Sequence, residues 1–355
     1  MELKNKYIIS PEELVLITGA NGFIGTRLVE CFIRHGFKNI RCFIRPSSDT
    51  KHLQEVVKNS GCDGVHFCPG NLNVKADCER VAKNVSLACH LAAGSDKSYS
   101  GSFLDTVVTT RNLLDGLINS GKLKRFVNVS SFAVYTNWNL AHYKTLDETC
   151  ELEPNLIRRG DAYCNAKMWQ ESIVREYNKK FNIPFTIVRP GSVYGPRARQ
   201  RISPRIGIDT FGVFMNLANS KHIPLTYVDN CAEAIMLAGV IPGVDGEVFN
   251  LVDDELPTGK QFLKLYKQNV AKFTSVRIPY PVFYLFCWIW EKYSAWSHGQ
   301  LPPAFNRYRA CVYYKGNKYS NAKAKQLLGW QPRITFAEGS RMHFAYFKQI
   351  DEKKD

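Results

Sequence analysis

At 355 residues the chain is longer than a usual single domain, which predicts one large α/β domain with a sizeable core and a smaller appended lobe. Lys and Arg number 47 against 32 Asp and Glu, and the formal charge of +15 suits an anionic ligand, an acidic membrane surface or nucleic acid; the basic residues are dispersed and form no DNA- or RNA-binding motif, which argues against the last. The 11 cysteines make no C-x-x-C pair and no zinc-like spacing, so a reducing compartment and no structural metal are expected.

In chain order, residues 1–6 show no apolar h-region, so a cytoplasmic rather than a secreted protein is expected. An apolar strand at 14–18 then runs into Gly19-Ala20-Asn21-Gly22-Phe23-Ile24-Gly25 and a helical pattern. This spacing predicts a dinucleotide-binding turn. Gly19 permits the bend, Gly22 lets backbone approach a pyrophosphate, and Gly25 lets helix pack on strand, while the amides around Asn21, Phe23 and Ile24 meet the phosphates at a helix N-terminus.

Strand-like runs follow at 40–44, 65–67, 87–91, 126–129, 185–188 and 248–251, with amphipathic segments such as 25–35, 103–120 and 162–181 between them. Such alternation predicts a parallel, doubly wound sheet. The second strand ends Ile44-Arg45-Pro46-Ser47-Ser48, without the acidic residue that would bind an adenosine ribose. Arg45 therefore favours NADP over NAD, because its guanidinium suits a 2′-phosphate. His90 reads as a packed strand residue. Near the C-terminus, Ser320-Asn321 and Gly329-Trp330-Gln331-Pro332 predict a helix capped at both ends.

The strand at 126–129 leads into Ser130-Ser131-Phe132-Ala133-Val134-Tyr135, and Tyr163-Cys164-Asn165-Ala166-Lys167 sets Tyr and Lys one turn apart on a helix. A tyrosine with a pKa near 10 needs a nearby positive charge to act as a base at neutral pH, and Lys167 can supply it. Together with the glycine turn these residues resemble the extended short-chain dehydrogenase/reductase family, of the NAD-dependent epimerase/dehydratase type with 3β-hydroxysteroid dehydrogenase-like features. The resemblance runs from about residue 14 to 337.

It implies a Rossmann doubly wound sheet at 11–195 plus 231–252, and a smaller, discontinuous substrate lobe at 196–230 plus 253–345. It also implies Tyr163 as acid/base, Lys167 lowering its pKa, Ser131 orienting the substrate, and Tyr163 and Lys167 touching the cofactor. Asn71 and Leu72 would meet adenine, and Ala92 and Ala93 would let the dinucleotide pass. Helices 103–120 and 162–181 would pair in a homodimer. Thr106 stands where the family often has Asn, and Cys164 reads as inert. Phe132-Ala133 replaces the acidic residues of dehydratases and decarboxylases, leaving plain redox or epimerisation at a carbinol carbon.

Ser192 stands where nucleotide-sugar enzymes usually carry Asn, whereas Arg197, Arg199, Arg201 and Arg205 would suit a diphosphate, with Ser192, Arg197 and Arg199 as the substrate candidates. The aromatic run at 280–296 is too short to span a bilayer and suits a membrane interface, a lipophilic pocket or a buried lobe helix. The leading expectation is an NAD(P)-dependent oxidoreductase or epimerase acting on a nucleotide sugar. Its alternatives are a 3β-hydroxysteroid-type dehydrogenase for a lipophilic alcohol and a non-catalytic nucleotide-sensing protein.

Overall fold

The computed structural model describes residues 7–94, 98–210, 212–298, 300–301 and 304–353. Its first half alternates strands and helices: β1 (Val15–Thr18), α1 (Phe23–Arg34), β2 (Ile40–Ile44), α2 (Lys51–Ser60), β3 (Val65–Pro69), α3 (Lys75–Ala82) and β4 (Leu87–His90). Next come α4 (Tyr99–Phe103), a π turn over Leu104–Val108, α5 (Thr109–Ile118) and β5 (Arg125–Val129). A short β6 (Thr145–Leu146) and α6 (Leu156–Arg159) precede α7 (Ala162–Phe181) and β7 (Phe185–Pro190).

The second half carries β8 (Ser192–Tyr194), β9 (Gly207–Thr210), β10 (Val213–Asn216), β11 (Leu225–Tyr227), α8 (Val228–Val240) and β12 (Val248–Leu251). It closes with α9 (Gly259–Asn269), β13 (Ser275–Arg277), α10 (Tyr280–Trp296), α11 (Arg307–Tyr314), β14 (Lys318–Tyr319), α12 (Ala322–Leu328) and α13 (Phe336–Glu352).

All seven expected strands join one parallel sheet in the order β12-β7-β5-β4-β1-β2-β3. Burial on both faces explains why these strands read as continuous apolar runs: Val15, Leu16 and Ile17 are fully buried, and so are Phe126 and Val127. On one face α1 packs against α8, and on the other α3 packs against α5. A separate apolar core gathers Ile206, Phe214, Phe262, Phe283, Tyr314 and Phe344 around a three-stranded sheet ordered β13-β10-β9.

Two expected elements differ in detail. The helix placed at 103–120 begins at Tyr99 and contains the π turn, which gives Asp105 room against Gly94; a Cβ on that glycine would stand 2.6 Å from the Asp105 Cβ. In α12, Asn321 does not cap the helix through its side chain. Its amide instead donates to the Val252 carbonyl at 2.8 Å, tying the helix to the end of β12, while Gly329 closes the far end at φ 63°.

Candidate active site

The sheet order reverses between β1 and β4, and a crevice opens beyond the carboxyl ends of those two strands, where doubly wound sheets bind ligands. A groove of about 420 Å³ lies there, bordered by Gly19, Asn21, Gly22 and Arg45 on one side and by Asn71, Leu72, Ala92 and Ala93 on the other. Gly19 adopts φ 70°, and a Cβ there would come within 3.0 Å of the Ala92 amide. A Cβ on Gly25 would fall 2.1 Å from the Gly19 carbonyl, so this glycine serves the close fit of α1 to the turn. Phe23 and Ile24 open α1 with side chains packed towards the second core, which leaves their amides to the groove end of the helix. The turn is thus a cradle that side chains would fill, and it fits a dinucleotide.

Arg45 is exposed at the rim of this groove, and Ser48 lines the wall beside it. The Asn71 side-chain oxygen accepts from the Asn73 amide at 3.0 Å, which fixes the loop.

Ala93 borders the groove, and its neighbour Gly94 borders a second cavity of about 630 Å³ that also contains Tyr163. Asp161 caps α7 by accepting from the Cys164 amide at 3.1 Å, which sets Tyr163 in the first turn. The tyrosine keeps 40% of its surface open yet sits deep in the cleft, and this burial pushes the phenol up to about 12, with the Ser131 hydroxyl pulling it down. Ser131 and Ser192 line the smaller cleft that Tyr163 shares.

Lys167 is buried one turn further along, its Nζ 6.0 Å from the Tyr163 ring centre. It donates to the Val129 carbonyl at 2.7 Å and to Gln170 Oε1 at 2.9 Å. Burial draws its pKa down to about 7, against the opposing charge of Glu171. The lysine lies within electrostatic reach of the phenol without bonding to it. In the protein by itself burial holds the phenol above its ordinary range, and the lowering expected at this position draws on Lys167 together with an oxidised nicotinamide.

Behind Lys167 runs a buried polar chain that sequence reasoning missed. Gln170 Nε2 donates to Thr110 Oγ1 at 2.9 Å, and the Thr110 hydroxyl in turn donates to the Thr106 carbonyl. Its proton thus spent, Thr110 accepts from His90 Nε2 at 2.9 Å, so His90 Nδ1 is the acceptor for the Thr18 hydroxyl at 2.7 Å. Burial holds the His90 pKa down at about 3, which keeps this tautomer neutral. Thr106 accepts from the Gly94 amide at 3.1 Å, a fixing role for the groove's edge. Gln170 and Glu171 stand three and four residues after Lys167, and this helical spacing is the signal that could have found them.

A second buried cluster anchors α7 to the sheet. Arg189 donates to both oxygens of Glu171 at 2.9 and 2.7 Å, Ser130 donates to Glu171 at 2.6 Å, and Arg189 also reaches the Tyr135 hydroxyl at 2.8 Å. Phe132 and Ala133 are buried beside Ser131 and bring no acid to the cleft. Among the described residues no group of three His, Cys, Asp or Glu could hold a metal.

The four arginines of the loop after Gly195 part company. Arg199 borders the larger cavity and has no ion-pair partner among the described residues. Arg197 lies instead beside Gly22 and Phe23 at the glycine turn, away from that cavity. Arg201 forms a two-pronged pair with Asp351 at 2.7 and 2.6 Å, and Arg205 is buried, donating to the Val312 carbonyl at 3.0 Å. Arg201 and Arg205 nonetheless border the smaller cleft shared by Ser131, Tyr163 and Ser192, where these protein partners hold them in place. Arg309 takes a place beside Arg199, and Phe283, Cys287, Phe305, Tyr313 and Tyr314 supply most of the remaining wall.

The sequence model of the NAD dependent epimerase/dehydratase family matches residues 15–251. The chain is 21% identical to 3beta-hydroxysteroid-dehydrogenase/decarboxylase isoform 1 of Arabidopsis thaliana, across 97% of this chain and 81% of that one. It is 23% identical to UDP-glucose 4-epimerase of Vibrio cholerae, across 96% and 97%. In fold it is similar to UDP-glucuronic acid 4-epimerase from Bacillus cereus in complex with NAD, with a TM-score of 0.68, 20% identity and coverage of 95% and 99%.

Proposed function

The chain belongs to the NAD dependent epimerase/dehydratase family, enzymes of the extended short-chain dehydrogenase/reductase type, and on that premise we propose that it moves hydride at a secondary alcohol carbon with Tyr163 as acid/base. The observation that carries this reading is the placement of Tyr163 in an open cavity that adjoins the dinucleotide groove through Ala93 and Gly94, with Ser131 in the cleft it shares and Lys167 behind it. A bound nicotinamide supplies the hydride acceptor, and returns the hydride when the ketone is reduced.

The chain's own groups handle the proton. As the carbinol C–H bond breaks, the hydroxyl proton passes to the Tyr163 oxygen, and the C–O bond becomes a carbonyl. Ser131 holds that oxygen. Lys167 offsets the phenolate charge, and its amine stays oriented because Val129 and Gln170 take two of its three donors. Among the described residues that line the cleft with Ser131 none is a carboxylic acid that could drive elimination.

Arg199 and Arg309 favour an alcohol that also bears an anionic group, a class that includes nucleotide sugars. The aromatic wall formed by Phe283, Phe305, Tyr313 and Tyr314 favours the second reading, a lipophilic alcohol. For the cofactor, Arg45 supports NADP beside NAD. Tyr163→Phe is expected to lower turnover at least about a hundredfold while dinucleotide binding stays intact. Turnover at the wild-type rate in that variant would remove Tyr163 from the chemistry.

A further inference from the structure

Helix α10 buries only a narrow face. Phe283, Cys287 and Ser294 point inward, Phe283 packs edge-on to Tyr314 at 5.5 Å, and Phe283 and Cys287 wall the cavity that holds Tyr163. Around the rest of the helix Val282, Leu285, Phe286, Trp288, Ile289, Tyr293 and Trp296 are exposed, Trp296 with 73% of its surface, although the Phe286 ring also packs onto Phe305. At 3.6 residues per turn these seven side chains cover one arc about 160° wide. Water gains nothing from such a stripe, and its extent marks a docking face.

Basic residues stand near both ends of it. Lys272 and Arg277 are exposed just before the helix and Lys292 near its end, whereas Glu291, the helix's one acid, is held by Arg307 at 2.8 Å. A two-fold pairing of this face with a second copy would set these cations against their own counterparts. A negatively charged surface satisfies them, and Trp and Tyr on the stripe suit the headgroup level of a bilayer. No helix among the described residues is long and apolar enough to cross a membrane, so the helix would lie in the plane.

We infer that the outer face of α10 seats this protein on an anionic lipid surface, with Leu285 and Ile289 at the centre of contact and Arg277 and Lys292 as electrostatic flanks. The cavity then lies one helix away from the headgroups, and the protein works at the membrane without spanning it. The docking stands independently of the proposed chemistry, because binding is read without turnover.

The test is flotation of the full chain with phosphatidylcholine vesicles containing or lacking phosphatidylglycerol. The wild type is expected to float with the anionic vesicles, to be released by high salt, and to stay behind with phosphatidylcholine alone. Leu285→Glu with Ile289→Glu, chosen because neither ring-packs onto Phe305 as Phe286 and Trp290 do, should abolish flotation while the melting temperature and dinucleotide binding persist. Arg277→Glu with Lys292→Glu should lower partitioning at least about twenty-fivefold, from roughly fivefold for each basic side chain.

Brominated-tail lipids provide a readout that needs no acidic variant: they should quench the wild type's tryptophan emission, and Trp296→Phe should remove part of that quenching. Failure of the wild type to float, or flotation of the Leu285 and Ile289 variant at wild-type level, would overturn the inference. So would a wild-type dimer that this variant converts to a monomer, since the face would then join two copies.

Discussion

Lys167 carries its charge where water cannot help it. Burial brings its pKa to about 7 against the charge of Glu171, and the Val129 carbonyl and Gln170 amide oxygen accept hydrogen bonds from its ammonium group. Gln170→Leu removes one of them, so the lysine should lose its proton more readily and the phenol beside it should ionise less readily. The pH-rate profile of alcohol oxidation should therefore move to higher pH with dinucleotide affinity unchanged, and Gln170→Glu should restore it. An unchanged profile would leave Gln170 a packing residue. Arg45 stands at the other end of the groove, exposed and without a carboxylate partner among the described residues. Arg45→Ala is expected to weaken NADP binding more than NAD binding, because only NADP bears a 2′-phosphate; titration with both dinucleotides measures the difference, and equal losses would exclude that role.

Among the elements, α7 matched its expected limits because Asp161 starts it and Asn182, at φ 53°, ends it, both through local bonds. The helix before β5 was less legible: its π turn answers the close approach of Gly94, a residue far enough along the chain that no local pattern records it. The proposed homodimer draws on these same elements. Leu104 and Trp169 remain 52% and 50% exposed on neighbouring segments that pack together, a surface that fits a second copy. The wild type is expected to sediment as a dimer at micromolar protein, and Leu104→Glu with Trp169→Glu as a monomer. A wild-type monomer under the same conditions would reject the pairing.

Across the whole molecule, the main sheet and the second core meet around Asp253. Its carboxylate accepts from the Tyr227 amide at 2.7 Å and from Asn230 at 3.0 Å, and burial nonetheless pushes its pKa up to about 7. A carboxyl whose pKa is raised on folding binds more protons in the folded chain, so its contribution to stability falls as pH rises from the ordinary carboxylate range to about 7. Asp253→Asn should flatten the pH dependence of the melting temperature in that window, read as the difference from wild type. A parallel curve would show that Asp253 does not titrate there.

The sequence by itself determined the parallel sheet, the glycine turn and the pair Tyr163 and Lys167, because strand burial, a positive φ at Gly19 and a one-turn spacing are each written within a few consecutive residues. Tertiary structure alone decided which arginines face the larger cavity and which the smaller cleft beside Ser131. Arg201 is taken by Asp351 and Arg205 by Val312, while Arg309 arrives from a helix more than a hundred residues further on. It also decided which face of α10 stays outside, since a helix apolar all round carries no signal of its buried side until Phe305 and Tyr314 pack against one face of it. Local bonds can be read from neighbours in sequence; the choice among equivalent charges and equivalent apolar faces depends on partners that only folding brings near.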